Sequence, residues 1–367
     1  MELVLLFSSC GGLYFYRMGM ELQRKTVSTG LKKLINRFPG ALLFEIDRIT
    51  AMYPERITPY YAELIQECGD PLWKQAVPDS AELEHAGLRE DPLEEEGFSP
   101  IPGVVHRYPD RVLFLVSDIC PVYCRFCTRK RRIGQARSRE QLLLDREAGL
   151  QYISRTRSIR DVLLSGGDPL MLPEPELLPL LDRLFAIDRL DLVRIGTRAL
   201  CTAPGLVTPE LAQKLGRYRS LYINTHFNHS AELTPEAGDA AALLAEVGLP
   251  LSSQTVLLAG VNDDVELLER LFRGLLRMRV RPYYLHIMDL TQGTAHFRLP
   301  LVRVVSIYKE LQRHLSGMAL PRLMLDIPGG GGKISLDPGG VPEPVEGGWA
   351  VTAYSGERYF YPEVPGG

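Results

Sequence analysis

The sequence predicts an α/β chain built on a parallel sheet covered by helices, with a helical segment before it and a glycine-rich tail after it. Three observations carry this. From Arg111 onward, short apolar runs alternate with amphipathic segments six times in succession. The runs are apolar almost throughout, as strands buried on both faces are. The polar residues then collect at the C-terminal tips of the runs, where βα sheets display their working groups.

The predicted strands are 111–117, 161–165, 192–197, 221–225, 252–258 and 281–287, and the predicted helices between and after them are 140–154, 177–187, 209–217, 235–247, 265–278 and 303–315. Thr208-Pro209-Glu210 and Thr234-Pro235-Glu236 each supply an N-cap, a proline at the first helical position and an acid in the first turn. Six βα units are too few for a closed eight-stranded barrel. Upstream, 31–88 reads as helices broken by prolines, with Thr58 capping a helix that starts at Pro59. The acidic stretch 91–103 reads as a surface linker with a solvated glutamate run. Downstream come an apolar run, 323–327, the turn Pro328-Gly-Gly-Gly-Gly-Lys333, read as mobile, and a last hairpin over 349–361. The segments expected are thus 1–20, a mis-started or frayed extension with Met18 or Met20 as the true start; 21–105, helical with a linker; 106–318, the barrel; and 319–367, the tail.

Bulk properties narrow the function. With 45% hydrophobic residues in 367, the chain can bury a large core, and a net charge of −3 recruits neither nucleic acid nor an anionic membrane. The apolar first seventeen residues are too short and broken for a membrane span and carry no basic start or cleavage site. Six cysteines, three of them in one eight-residue stretch, are no disulfide framework, and a reducing cytoplasm fits.

That stretch, Cys120-Pro-Val-Tyr-Cys124-Arg-Phe-Cys127, leaves the C-terminal end of the first barrel strand. A four-iron cluster normally takes four thiolates, so three leave one iron open for a substrate or cofactor. A structural zinc site would want a fourth Cys or His at comparable spacing; His106 precedes the strand and the next beyond the loop is Cys201. The spacing, with an aromatic before the last Cys, resembles the radical S-adenosylmethionine (SAM) enzymes, in which the open iron chelates SAM. That resemblance turns the six units into an open partial (β/α)6 barrel of the radical SAM type.

Later strands end in Gly166-Gly167-Asp168, Arg198, Asn224-Thr225-His226, Gln254 and Asp289. Glycines at such a tip let backbone approach a ligand closely, and in the resembling family this element faces the amino group of SAM. Phe126 is a candidate to pack on adenine. Pro328 to Lys333 is no Walker A loop, because Ile327 and Ile334 stand where Gly and Ser/Thr belong. A lysine on such a turn can instead form a Schiff base with pyridoxal 5′-phosphate (PLP).

Together, "YPERITPYYAELI", "HRYPDRVLFLVSDICPVYCRFCTRKRR", "LLSGGDPL", "INTHFNH", "QTVLLAGVND", "RPYYLHIMDLTQGTAHFR" and "DIPGGGGK" resemble the lysine 2,3-aminomutase family over 47–338. The resemblance implies an isomerase in which Cys120, Cys124 and Cys127 hold a [4Fe–4S] cluster that reduces SAM to a 5′-deoxyadenosyl radical. Lys333 holds PLP until the substrate amine displaces it, hydrogen leaves the substrate's C3, and the nitrogen moves from C2 to C3. It also implies Arg107, Tyr108 and Arg111 at the PLP phosphate, Tyr283 near PLP, and His226 and Gln254 at SAM, beside Gly166, Gly167 and Asp168. An electron donor such as flavodoxin or ferredoxin is required, and a homo-oligomer stays open.

Arg129 matches the family's carboxylate-binding position, and a bidentate guanidinium suits an α-amino acid. Asp289 and Asp326 match its side-chain pocket. Two acids favour a cationic side chain, lysine first and arginine next, over glutamate. The adjoining Lys130-Arg131-Arg132 reads as a solvated basic run. The clostridial type of the enzyme binds zinc through a cysteine after "GVND" and others in its tail; here that position is Asp264 and no cysteine follows Cys201, so zinc and a zinc-supported tail exchange are not expected. Two rivals remain: the related enzymes that make β-lysine for an elongation factor, against which the four-glycine run argues, and a non-catalytic iron–sulfur sensor, which would need neither Lys333 nor the charged trio.

Overall fold

The protein is seen here in a computed structural model that describes residues 3–7, 13–17, 27–38, 46–84, 87–135, 137–336, 343–346, 348–353 and 356–362. Two short strands, β1 (Leu3–Phe7) and β2 (Leu13–Arg17), pair antiparallel at the start. Met18 and Met20 lie outside the described residues. Four helices follow: α1 (Thr29–Arg37), α2 (Ile46–Met52), α3 (Pro59–Leu64) and α4 (Pro71–Ala76). Thr58 caps α3 as its sequence demands, its side chain accepting from Tyr61 N. These helices share a small core around Leu31, Tyr61, Ile65 and Trp73.

The main sheet begins with β3 (Val104–Tyr108) and β4 (Arg111–Ser117). It continues through α5 (Arg139–Arg155), β5 (Asp161–Gly166), α6 (Glu174–Phe185), β6 (Leu192–Gly196), α7 (Ala199–Thr202), α8 (Pro209–Leu215) and β7 (Leu221–His226). The remaining elements are α9 (Pro235–Glu246), β8 (Leu251–Leu257), α10 (Val265–Arg277), β9 (Arg281–Ile287), α11 (Leu301–His314), β10 (Arg322–Ile327) and β11 (Gly332–Ser335). The six predicted strands all form, each within a residue or so of its expected bounds.

The sheet is larger than six strands. Its order is β11-β10-β9-β8-β7-β6-β5-β4-β3, parallel from β4 to β10 and antiparallel at both edges. The edges approach one another, because Tyr108 on β3 accepts a hydrogen bond of 2.8 Å from the backbone N of Lys333 on β11. The result is a nearly closed α/β barrel. The tail adds β12 (Glu343–Val345), β13 (Gly348–Thr352) and β14 (Arg358–Pro362), the last two forming the expected hairpin.

Strand alternation assigns the two faces. On β8 every second residue from Leu251 to Leu257 is buried against the helices, while Ser252, Gln254 and Val256 turn inward and are half-buried. Leu268, Leu271, Phe272 and Leu275 give α10 the matching apolar stripe. Registers carry the inner face round the barrel. His226 is level with Gln254, Val256 with His286, His286 with Met324, and Asp326 with Lys333. The glycine turn, read as mobile, is the tight end of the β10–β11 hairpin, with Ile327 opposite Gly332. Among the described residues no helix is long and apolar enough to cross a membrane.

One glycine tests this packing. A Cβ on Gly149 of α5 would overlap the Phe114 ring of β4. Alanine in a helix is worth roughly 1 kcal/mol over glycine, but overpacking costs about 1–3 kcal/mol. Gly149→Ala is therefore expected to lower the urea-unfolding midpoint; a raised midpoint would show that the β4–α5 contact is looser than described.

Candidate active site

Between Ser117 and Arg139 the described residues form no helix or strand, and this stretch carries the three cysteines. Charge anchors it. Arg125, 1% exposed, gives Nε and Nη2 to the two carboxylate oxygens of Glu82, which is 0% exposed, at 2.8 and 2.5 Å. Lys130, 6% exposed, reaches the same carboxylate at 2.7 Å and also donates to the carbonyls of Arg125 and Gly293. Burial opposes the Glu82 charge, but the two cations outweigh it and hold the carboxyl below its usual range. Burial draws Lys130 down to about 8 against the pull of Glu82. The backbone is tied as well, Tyr123 N to Arg56 O and Arg125 N to Gln75 O, both at 2.9 Å. The reading of Lys130-Arg131-Arg132 as a solvated run is thus corrected. Lys130 is buried, and Arg131 pairs with Asp91 at 3.0 Å, because Glu82 and the acidic stretch 91–96 lie against this loop.

Cys120, Cys124 and Cys127 are all free thiols. Burial pushes Cys120 well up and Cys127 up to about 11, each helped by a neighbouring thiol. Cys124 Sγ accepts from Arg198 Nη1 at 2.9 Å. Arg198 itself is buried among Glu232 (2.6 Å), Gln75 (2.7 Å) and Tyr61 (3.2 Å). Its Nε is buried with no partner among the described residues. No three His, Cys, Asp or Glu side chains among the described residues are grouped around one ion; a four-iron cluster instead takes its thiolates on separate irons. Three neighbouring thiols, Cys120 and Cys127 held uncharged and Cys124 against an arginine, fit such a cluster, whose iron would supply the missing positive charge.

The glycines at the β5 tip also pack closely against the chain itself. Gly166 has φ +107, and a Cβ on it would overlap Ser117 O, while one on Gly167 would overlap Ile119. What approaches closely here is the start of the cysteine loop, joined by Asp168 N to Ile119 O at 2.8 Å. Asp168 is buried and accepts from Thr197 Oγ1, Arg198 N and Leu170 N. All three residues therefore shape the loop and the Arg198 turn.

On the inner face, His226 bonds Asn228 Oδ1 at 2.9 Å. Burial, with Arg198 nearby, pulls its pKa down to about 3, so the ring is neutral. Gln254 lies level with it on β8. Phe126 is 4% exposed and makes edge contacts with His226 (5.6 Å) and Phe297 (6.3 Å) in a small apolar cluster.

Lys333 stands on β11 with its Nζ 2.5 Å from Asp326 Oδ2, directly across the hairpin. His286, which the sequence reading missed, lies 3.6 Å from the same oxygen. Burial opposes the Asp326 charge, yet His286 and Lys333 hold the carboxyl down at about 2. Burial and then Asp326 push Asp289 up to about 7 against Lys333 and Arg129. Arg129 is held by a second missed residue, Glu95, which takes Nε and Nη2 in contacts of 3.0, 3.0 and 2.6 Å. Glu95 lies inside the stretch read as solvated, and that reading is corrected: it is 5% exposed. Arg107 donates to Leu93 O and stacks on Phe98, with its Nε buried and unpartnered among the described residues. Arg111 lies 4.3 Å over the Tyr108 ring, and Tyr108 reaches Lys333. An unpartnered guanidinium nitrogen near a lysine on a sheet edge fits a phosphate-bearing group. Tyr283 occupies a bulge of β9, stacked on Tyr284 at 3.6 Å and facing Arg194 and Asp161. Asp264, at the expected zinc position, is the N-cap of α10, its side chain accepting from Leu267 N.

Comparison with known proteins identifies relatives of this architecture. The Radical SAM superfamily model matches residues 114–272. An L-lysine 2,3-aminomutase of Fusobacterium nucleatum subsp. nucleatum is 46% identical over 286 residues, 77% of this chain and 67% of its own length. One of Acetoanaerobium sticklandii is 46% identical over 77% of this chain and 69% of its own. A glutamate 2,3-aminomutase of Clostridioides difficile is 39% identical over 80% of this chain and 70% of its own.

The anchor of the cysteine loop gives a prediction. Glu82→Gln leaves Arg125 and Lys130 buried without their counter-charge, which costs about 3–5 kcal/mol when one partner of a buried pair is removed. Urea unfolding should show a loss of that size; a loss under about 1 kcal/mol would mean that the loop is held otherwise.

Proposed function

Since this chain belongs to the lysine 2,3-aminomutase family of radical SAM enzymes, we propose that it converts L-lysine to β-lysine (3,6-diaminohexanoate). The enzyme is an isomerase that uses a [4Fe–4S] cluster, SAM and PLP. When bound, these supply a carbon-centred oxidant for the substrate's C3 and a π system that carries the migrating nitrogen.

The chain's own residues divide the remaining work. Cys120, Cys124 and Cys127 would hold the cluster, with Arg198 donating to the middle thiolate. Lys333 would hold PLP, with Arg107 and Arg111 at its phosphate, Tyr108 fixing the hairpin and Tyr283 nearby. His226 and Gln254, level on adjacent strands, would face SAM, with Phe126 against His226 and the Gly166-Gly167-Asp168 turn fixing the loop beside them. Neutral His226 can donate or accept a hydrogen bond without adding charge to a dry site. A one-electron donor such as flavodoxin or ferredoxin would reduce the cluster, and a reducing cytoplasm suits it.

The observation that carries the substrate assignment is the acid pair Asp289 and Asp326, Asp326 already holding an ammonium, that of Lys333, at 2.5 Å, with Asp289 close enough to act on both Asp326 and Arg129. Arg129 would take the substrate carboxylate and the two aspartates its side-chain ammonium. Asp326 now pairs with the Lys333 ammonium and would exchange that partner for the side-chain ammonium of the substrate. Glutamate, with a second carboxylate, would meet two like charges there. Anaerobic turnover with SAM, PLP, a reductant and lysine, arginine or glutamate in turn should yield the β-isomer of lysine fastest; preferential turnover of glutamate would contradict the assignment.

Two further outcomes follow. Borohydride reduction of the PLP-loaded protein should fix the label on Lys333 in peptide mapping, and labelling of another lysine would remove it from that role. Asp289 attracts an ammonium only when ionised, so with its carboxyl near 7 the KM for lysine should fall as pH rises through 7. The substrate amine also loses its proton upward, so the diagnostic is the difference between proteins. Asp289→Asn should raise KM and flatten this step; an unchanged pH profile would show that Asp289 does not meet the ammonium.

A further inference from the structure

We propose that Glu95 is a positioning residue for substrate recognition, fixing which edge of the Arg129 guanidinium is offered to the substrate carboxylate. The inference rests on the reading of Arg129 given above and adds a residue to it.

A guanidinium is a planar fork of five donors, and a carboxylate can take either of two edges. Glu95 occupies one of them, the Nε–Nη2 edge, with both oxygens. Nη1 has no protein partner among the described residues and is not among their sealed, unsatisfied atoms. Arg129 therefore has one edge closed by protein and one nitrogen left for another acceptor. Beyond Glu95, the groups that act on the Arg129 charge include Cys127 of the cluster loop and Asp289 of the side-chain pocket. A lysine long enough to span the rim could place its carboxylate on Nη1 and its ammonium on Asp289.

Glu95 is itself held from several sides. Leu93 O accepts from Arg107, and Pro92 O accepts from Gly329 N at 2.9 Å. Asp91 and Glu96 pair with Arg131 at 3.0 and 3.4 Å. Phe98 packs against Gly330, where a Cβ would overlap its ring. The segment 91–98 is thus a strap joining the cysteine loop, the arginine of β3 and the glycine turn that ends at Lys333. A carboxylate fixed by such a strap holds Arg129 in one orientation, and small misplacements of a binding group can cost up to about 100-fold.

The test measures lysine binding without turnover, through the change in PLP absorbance when lysine is added to PLP- and cluster-loaded protein lacking reductant. Glu95→Gln should raise the Kd for lysine roughly 10- to 100-fold, Glu95→Asp should fall between it and the unaltered protein, and Glu140→Gln, at an exposed glutamate outside the strap, should leave the Kd unchanged. Lysinamide, which has the amine but no carboxylate, should bind the unaltered and Glu95→Gln proteins alike. Equal weakening of lysine and lysinamide would mean a merely structural role and overturn the inference. So would an unchanged lysine Kd in Glu95→Gln while Arg129→Lys weakens binding, an outcome that leaves Arg129 in place. If Arg129→Lys binds lysine as well as the unaltered protein, the underlying reading fails instead. Should Glu95→Gln not fold, Glu95→Asp alone decides, by whether it discriminates lysine from lysinamide.

Discussion

A single fully buried carboxylate, Glu82, sets what the rest of this rim can be. The cysteine loop has no helix or strand to give it shape, so its geometry depends on contacts with other parts of the chain. Glu82 meets Arg125, which lies between Cys124 and Cys127, and Lys130, three residues past the last thiol. Two cations on one dry carboxylate leave a net positive charge behind the loop. Breaking such a cluster is costly because each charge left alone would have to be solvated in the interior. The loop is anchored where ligands must be presented, and the anchor is a buried charge cluster.

The same logic recurs along the rim. Arg198 links the middle thiol to Glu232, and Arg129 faces Glu95. Lys333 meets Asp326 across a hairpin that closes the barrel. Arg129, Arg198 and Lys333 are each paired with a protein carboxylate in this state, so seating a substrate ammonium on Asp326 means exchanging one charged partner for another. Exchange changes the balance of charge less than creating a new buried charge would. The nearly closed sheet makes this workable, since β3 and β11 bring Arg107, Tyr108 and Lys333 to the same seam from opposite ends of the chain.

Much of this was legible in the sequence because it is local. Apolar runs, Thr-Pro caps such as Thr208 and Thr234, and the Cys120–Cys127 spacing are written within a few residues of each other, and the barrel followed from them. Ion pairs between distant segments leave no such trace. The run Lys130–Arg132 and the stretch 91–96 each looked solvated when read alone; Lys130 and Glu95 are buried, and the two segments meet across some thirty-five positions in Arg129 with Glu95 and Arg131 with Asp91. Gly166 and Gly167 were legible as glycines that must be glycine, but the body that approaches them, the Ser117–Ile119 backbone, is a tertiary fact. His286 sits mid-strand beside Tyr284, and only the register with β10 brings it to Asp326.

The central claim is that the thiols of one loop and the lysine of the opposite edge act on a single substrate molecule. Lysine carrying deuterium at C3, incubated anaerobically with the reduced, fully loaded enzyme, tests it directly. Deuterium should appear on the 5′ carbon of SAM or of the nucleoside derived from it, and the transfer should vanish in both Cys124→Ala and Lys333→Ala. Undiminished transfer in Lys333→Ala would contradict the account, because the radical source would then act without the lysine that this fold brings to meet it.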